Sequence, residues 1–355
     1  MEQEILKKLS REYLKSYYSI NSYIGCPINC AYCFLAPIKI IPMRPIKVAD
    51  EKELVEEMLN EVYFKENETI ISLNNRTDPF INNEVKESTF KILDALESKR
   101  LKNIVTITSK GLLTEEDAKK LDEYKNIQIV IMVTYNGINK EIQPIDISIQ
   151  ETTIKNVSKC KNVKLVQQLR PIIPNVNDNE KLLRKLVNYA MQYCDATIYQ
   201  GIRVNQFIKD RLSERNYEYS GIFDHHKQKS QEVDNIFERI REENLEYPIF
   251  DHTSCGLSYL FNLPDYNLHF TKCKCPKNCL NYNKCFNEKE TSYNYDLKEE
   301  LEKLGITENY HMENGVLFID GALDDEKKSY IKHNLHLPVK SQKRESTFSE
   351  KIIES

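Results

Sequence analysis

Residues 103–135 read NIVTITSKGLLTEEDAKKLDEYKNIQIVIMVTY, and this stretch decides the fold class. NIVTITSK (103–110) is rich in β-branched residues and reads as a strand. Thr114 followed by Glu115, Glu116 and Asp117 is a helix start: an N-cap hydroxyl, then carboxylates where the helix dipole favours negative charge. The helix runs over 114–124. IQIVIMVTY (127–135) is apolar almost without interruption, as expected of a strand buried on both faces. Strand, helix, strand in immediate succession predicts a parallel pair joined by a right-handed crossover.

The same alternation continues outward in both directions. Upstream lie a helix at 48–64, a strand at 68–75 (ETIISLNN) and a helix at 83–101. Downstream lie a helix at 147–160, a strand at 163–173 (VKLVQQLRPII), a helix at 177–194 and a strand at 196–202 (ATIYQGI). With the apolar stretch from Tyr17 to Gly25 counted first, six strands result, each of the first five followed by a helix. That pattern predicts an α/β fold on a parallel sheet, open or barrel-shaped, with ligand-binding residues at the carboxyl ends of the strands. Residues 1–17 read as an amphipathic helix and 18–247 as the main α/β body. Residues 248–290 form a cysteine-rich metal-binding segment and 291–337 a small α+β appendage with a strand at 315–320. The polar stretch 338–355 reads as a disordered tail.

Composition excludes several classes. The 355 residues are 40% hydrophobic and 29% charged, with a net charge of −4, so no global basic field drives non-specific binding to nucleic acid. No apolar run reaches the roughly 20 residues that span a bilayer, and the N-terminus lacks the apolar core of a signal peptide. A cytoplasmic location without membrane attachment is expected. Nine glycines argue against nucleotide folds built on glycine fingerprints. Ten cysteines in a reducing compartment then point to metal or redox chemistry. Cys160 and Cys194 stand alone and read as small buried apolar residues; the other eight form two clusters.

The first cluster is Gly25-Cys26-Pro27-Ile28-Asn29-Cys30-Ala31-Tyr32-Cys33-Phe34. Three thiolates on one tight loop can take three corners of an iron–sulfur cube, which leaves the fourth iron open to an external chelate. A zinc site would need a fourth cysteine or histidine nearby, and none occurs between Cys33 and Cys160. The spacing C-x3-C-x2-C with an aromatic before the last cysteine resembles the signature of the radical S-adenosylmethionine (SAM) superfamily. The resemblance implies a partial (β/α)6 TIM-type barrel. It implies a [4Fe–4S] cluster on Cys26, Cys30 and Cys33, with Tyr32 near the adenine. It further implies reductive cleavage of SAM to methionine and a 5′-deoxyadenosyl radical, with electrons from a flavodoxin- or ferredoxin-type donor.

Three further strand ends narrow the resemblance. Thr77-Asp78-Pro79 follows the second strand and Thr108-Ser109-Lys110 ends the third. Arg170-Pro171-Ile172-Ile173-Pro174, with Asp178 beyond it, ends the fifth. Together with the cysteine motif they resemble the spore photoproduct lyase-like branch, often labelled DNA repair photolyase, over residues 18–205. That branch implies a nucleic-acid or nucleotide-type substrate. It also implies a hydrogen-donating cysteine a few residues before the Asp-Pro, and Asn75 stands there, so direct repair of a thymine dimer is not expected. On the logic that strand ends carry the ligand site, Asn74, Asn75, Thr77, Asp78, Thr134, Gln168, Arg170 and Tyr199 are the candidate SAM-binding residues. Tyr135 and Gln200 stand beside two of them.

The second cluster comprises Cys255, Cys273, Cys275, Cys279 and Cys285, with His252 as a further candidate ligand. Cysteines this dense predict a metal, either an auxiliary iron–sulfur cluster or structural zinc; both place thiolates around the ion, and the spacing does not separate them. His225-His226 opens a charged helical segment. Segment 203–229 carries six Lys or Arg against four Asp or Glu, with Tyr217, Tyr219 and Phe223 interleaved, a weak nucleic-acid signal. Two other functions compete with a nucleotide-directed radical enzyme. One is a radical SAM maturase of a peptide or small metabolite. The other is a non-catalytic zinc-binding protein.

Overall fold

Each crossover helix begins at a residue whose side chain closes its first turn. In the computed structural model of the chain, which describes residues 2–13, 17–36, 43–219, 227–271, 279–288 and 295–342, the elements run as follows. Helix α1 (Glu2–Leu9) leads into strands β1 (Arg11–Tyr13), β2 (Tyr18–Ile20), β3 (Tyr23–Ile24) and β4 (Ile46–Lys47). Then come α2 (Glu51–Leu59), β5 (Ile71–Leu73), α3 (Asn83–Ser98), β6 (Ile104–Ser109), α4 (Glu115–Glu123), β7 (Gln128–Val133), α5 (Ile147–Val157), β8 (Val163–Ile172), α6 (Glu180–Ala190) and β9 (Ala196–Arg203). Asp50, Asn82, Thr114, Asp146 and Asn179 cap α2 to α6 through their side chains, each worth about 1 kcal/mol. Thr114 and Asp117 form a reciprocal capping box.

The sheet order is β1-β2-β5-β6-β7-β8-β9, with two later strands on β9. These are β10 (Lys227–Gln228), which follows α7 (Gln206–Ser213), and β11 (Ile249–Phe250), which follows α8 (Gln231–Glu243). Every pairing from β2 to β9, and that of β11, is parallel; β1 and β10 are antiparallel. Among the described residues no ladder joins the two edges, so this is an open, partial TIM-type barrel. The six strands anticipated from the pattern all form. The N-terminal helix is shorter than its amphipathic pattern suggested: it stops at Leu9, and Arg11–Tyr13 pairs with β2 instead.

The period of two along each strand divides the core into two layers. Outward residues such as Ile107, Ile131, Leu165 and Tyr199 pack with Leu93, Leu121, Leu186 and Phe237 of the surrounding helices. Inward residues Ile104, Val130, Met132, Val166 and Ile198 pack with Leu257 and Tyr266. Leu257 lies on α9 (Thr253–Leu260), so this helix of the cysteine-rich segment packs into the interior of the open barrel. A Cβ on Gly256 would stand 2.8 Å from Ile198 Cδ1, which is how closely α9 lies on β9.

The chain ends in α10 (Tyr282–Glu288), α11 (Leu297–Lys303), β12 (Tyr310–Glu313), β13 (Val316–Ala322), α12 (Asp325–Asn334) and β14 (Val339–Gln342). This appendage covers the β1 edge, where Asn334 Nδ2 donates to Tyr13 Oη at 2.9 Å and the His333 ring packs on Tyr13. A covered edge cannot template pairing with another chain. The tail expected from 338 begins later: Val339–Gln342 pairs in parallel with β13, with Val339 opposite Leu317. The remainder, 343–355, lies outside the described residues, as do Cys273, Cys275, His225 and His226.

Candidate active site

The loop bearing Cys26, Cys30 and Cys33 follows β3 and is pinned from three sides. Gly25 adopts φ +102°, open to glycine at little cost, and its N–H donates to Arg76 O at 2.8 Å. Its carbonyl accepts the Thr77 hydroxyl. Ala31 N–H donates to Ile142 O at 2.9 Å. From α7, the Arg211 guanidinium donates to Asn29 Oδ1 and to the Asn29 and Cys30 carbonyls, and Arg215, just beyond it, donates to Asn29 O. Tyr32 reaches the interior, where its hydroxyl donates to Gln143, itself held by Asn136 Nδ2 at 3.2 Å.

Cys30 is buried and Cys26 and Cys33 half-buried. Burial pushes the Cys26 thiol up to about 12, with the Asp78 carboxylate adding to the effect; burial also raises Cys30. A thiol of that kind ionises only when a cation compensates it. Lys110, whose ammonium lies 5.9 Å from the Tyr32 ring centre, favours the thiolate at Cys26 and Cys30. Three buried or half-buried cysteines on one pinned loop, with a lysine and an arginine beside them, are a donor set that fits an iron–sulfur cluster and leaves one iron without a protein ligand from the loop.

Asp78 unites two of the sequence motifs. One carboxylate oxygen accepts the Ser109 hydroxyl at 2.6 Å and Phe80 N–H at 3.1 Å; the other accepts Lys110 N–H at 2.7 Å. The Thr-Asp-Pro turn therefore holds the Thr-Ser-Lys strand end, and with it the lysine beside the thiols. Asp78→Ala would strand three donors, which costs about 2–4 kcal/mol. Chemical denaturation should show that loss, and Asp78→Asn, which keeps an acceptor, should recover part of it. The next residue, Gly111, has no room for a side chain: a Cβ would stand 2.4 Å from Phe80 O. Gly111→Ala is expected to destabilise by about 1–3 kcal/mol, read from the same unfolding midpoint.

The other candidates separate by face. Asn74, with φ +49°, is fully engaged: Ser22 donates to its Oδ1 and its Nδ2 donates to Thr89. Asn75 is different, since its Oδ1 is buried and has no hydrogen-bond partner among the described residues. Gln168 and Arg170 share the inward face of β8, and Arg170 Nε donates to Gln168 Oε1 at 2.9 Å. Arg170 Nη1 reaches Gln200 Oε1 at 3.3 Å and Thr253 Oγ1 at 3.5 Å. No carboxylate among the described residues pairs with it. Thr134, in the same parity as inward Met132, caps β7 through a 2.9 Å bond from its N–H to Ser109 O. Tyr199 and Tyr135 face outward. Tyr199 stacks on Phe237 with centroids 3.6 Å apart, and Tyr135 donates to Glu151 at 3.0 Å. Gln200, one residue on from Tyr199, is the β9 side chain that shares the interior with Arg170. Lys110 is marked in the sequence only as the end of the Thr-Ser-Lys motif, and Gln143, Asn136 and Arg211 are site neighbours that no motif marks.

The described part of the second cluster is also brought together. Cys255, Cys279 and Cys285 line one small pocket with Asp265 and Asn281. Cys255 Sγ, an Asp265 oxygen and a His269 ring nitrogen lie within 4.8 Å of one another. His252 stacks flat on His269, with centroids 3.8 Å apart.

Three comparisons bear on this geometry. Residues 20–187 match the family model of the radical SAM superfamily. A spore photoproduct lyase mutant solved with bound AdoMet and dinucleoside spore photoproduct superposes with a TM-score of 0.54 at 13% identity, covering 69% of this chain and 79% of that one. A spore photoproduct lyase complexed with dinucleoside spore photoproduct gives 0.51 at 13%, with the same coverage. At such identities the likeness is one of fold. No curated protein matches the chain in sequence. No helix among the described residues is long and apolar enough to cross a membrane.

Proposed function

This chain belongs to the radical SAM superfamily, and from that premise we propose that it abstracts hydrogen from a nucleic-acid or nucleotide-type substrate. It is an enzyme whose cofactors are a [4Fe–4S] cluster and SAM. The observation that carries the substrate reading is the surface around the cysteine loop. Phe34, next to Cys33, is 59% exposed and Phe207 on α7 is 41% exposed, and the Arg211 guanidinium lies 5.8 Å from the Phe207 ring centre. Exposed Arg203 and half-buried Lys209 flank Phe207 along the chain. Aromatic faces for bases between cations for phosphates are what single strands and nucleotides bind. The solved lyase with the same fold has a dinucleoside in its site, which supports the same class.

The cluster, when bound, supplies the electron that splits SAM into methionine and a 5′-deoxyadenosyl radical. The chain's residues do the rest by holding and shielding. Cys26, Cys30 and Cys33 hold three irons. Lys110 and Arg211 offset the thiolate charge. Tyr32, fixed by Gln143 and Asn136, borders the adenine. Arg170, an interior cation without an acidic partner among the described residues, would hold the SAM carboxylate. Asn75 Oδ1, Thr134 and Gln168 address the SAM amino group or the substrate. Asn74, Thr77 and Asp78 position the loop from behind, and Tyr199 supports the β9 wall from outside. The electron enters from a flavodoxin- or ferredoxin-type donor. Cys160 and Cys194 precede β8 and β9, at the opposite end of the sheet from the site. The position a few residues before the Asp-Pro is Asn75 and not a cysteine, and thymine-dimer repair is not part of the proposal.

The experiment is anaerobic reconstitution with iron and sulfide, reduction with dithionite, and measurement of 5′-deoxyadenosine with oligonucleotides deuterated on the sugar and base. Deuterium in the 5′-deoxyadenosine is expected. Cleavage that proceeds without label from any nucleotide pool, but with label from peptides, would overturn the substrate class.

A further inference from the structure

We infer that the cysteine-rich segment holds a closed, mononuclear zinc-type ion on Cys255, Cys279, Cys285 and His269, with Asp265 orienting the histidine. The donors come from separate elements: Cys255 from α9, His269 from the turn after it, Cys279 from the loop before α10, and Cys285 from α10 itself. The three cysteines are free thiols that line one pocket, and His269 presents a ring nitrogen within 4.8 Å of Cys255 Sγ.

Four observations carry the site. First, Cys255 Sγ and a His269 ring nitrogen lie within 4.8 Å of each other and of an Asp265 oxygen, sulfur and nitrogen donors of the kind that suit zinc. Secondly, Asp265 is only 1% exposed, and its Oδ2 accepts both the His269 N–H at 2.6 Å and an interaction with Nδ1 at 3.0 Å. A carboxylate fixed to Nδ1 turns Nε2 outward as the ligating atom, as carboxylate–histidine–zinc arrangements do. Thirdly, Cys279 and Cys285 line the same small pocket as Cys255 and Asp265, so three sulfurs border one space. Fourthly, Asn281 is 1% exposed and lines the same pocket, its Nδ2 donates to Cys255 O at 2.7 Å, and its Oδ1 has no partner among the described residues. Three sulfurs and a buried carboxylate in one pocket need a cation, and a four-ligand ion with no vacancy supplies it.

The ion's role follows from where α9 lies. The helix carries Leu257 into the barrel interior and starts at Thr253, whose Oγ1 lies 3.5 Å from Arg170 Nη1. Zinc on Cys255 and His269 thus anchors the helix that fills the barrel and touches the interior arginine. No electron passes through it.

The test uses the full chain carrying Cys26→Ala, Cys30→Ala and Cys33→Ala, so that the first cluster contributes no metal and the outcome is independent of the radical reaction. Elemental analysis should find one zinc per chain and no stoichiometric iron. Chelation should lower the thermal midpoint. Asp265→Asn should weaken zinc about 10–100-fold in competition with a chromophoric chelator. Cobalt(II) in place of zinc should show thiolate-to-cobalt absorption that weakens when Cys279→Ser is added. Four irons with acid-labile sulfide in this background would replace the zinc ion with an auxiliary cluster and overturn the proposal. So would a chain without metal, or zinc affinity unmoved by both Asp265→Asn and His269→Ala.

Discussion

Cys26→Ala is expected to abolish formation of 5′-deoxyadenosine while leaving the barrel folded. Cys26 sits on the loop after β3, half-buried and outside the hydrophobic clusters. Its removal therefore opens no core cavity of the kind that costs several kcal/mol. What it removes is one of only three thiolates on the loop. Groups one shell beyond a metal's ligands are commonly worth about 10–100-fold in affinity or activity. Loss of a ligand itself should lower SAM cleavage at least about a hundredfold, with cluster iron falling in parallel. Cys30→Ala and Cys33→Ala should match it. Cys194→Ala is the control, because that thiol packs in the outer core. It should lower the unfolding midpoint slightly and leave iron and cleavage unchanged. Circular dichroism beside iron counting checks the pair. Cleavage retained in all three loop variants would remove the cluster from this loop.

The elements that position this loop were legible in the sequence because their physics is local. Thr114 with its acidic first turn caps a helix at the predicted place, since a side-chain acceptor two or three residues before an amide is a short-range event. The cysteine spacing is likewise local. The strand ends were legible only in part. Gln128–Val133 is buried almost throughout, so nothing in its text says which residues face the interior. That ambiguity is why Tyr199 and Gln200 could not be separated by sequence; the register places Tyr199 on Phe237 and Gln200 on Arg170. Gln143 and Asn136 lie in an aperiodic stretch after β7, and their hold on Tyr32 depends on contacts across the fold. β14 was missed because VKSQ is half polar, as suits an edge strand whose ladder bonds come from a partner rather than from its own side chains.

Local rules are broken in the barrel interior, and Arg170 is the clearest instance. Among the described residues the Arg170 guanidinium meets only amide and hydroxyl oxygens, from Gln168, Gln200 and Thr253, and burial works against its charge. For the ligand-free fold this is poor economy: an isolated buried charge is unfavourable, and an apolar side chain of similar volume does as well or better. Arg170→Met should accordingly leave the unfolding free energy within about 1 kcal/mol of the parent, since relief of desolvation offsets two or three lost hydrogen bonds. SAM binding should respond quite differently. Hydrogen bonds to a charged group are worth about 1.5–3 kcal/mol, which is roughly a 10–150-fold rise in the SAM dissociation constant. Arg170→Lys should recover little, because a single ammonium cannot reproduce a planar pair of donors. Calorimetric titration of SAM into the reconstituted protein, set beside urea unfolding of the same variants, separates the two effects. A variant that binds SAM normally but has lost stability would make Arg170 a structural residue of the barrel. Normal SAM binding with a raised KM for an oligonucleotide would instead assign the guanidinium to a substrate phosphate. Unfolding energy held constant while SAM affinity falls is the combination that an interior cation reserved for the SAM carboxylate requires.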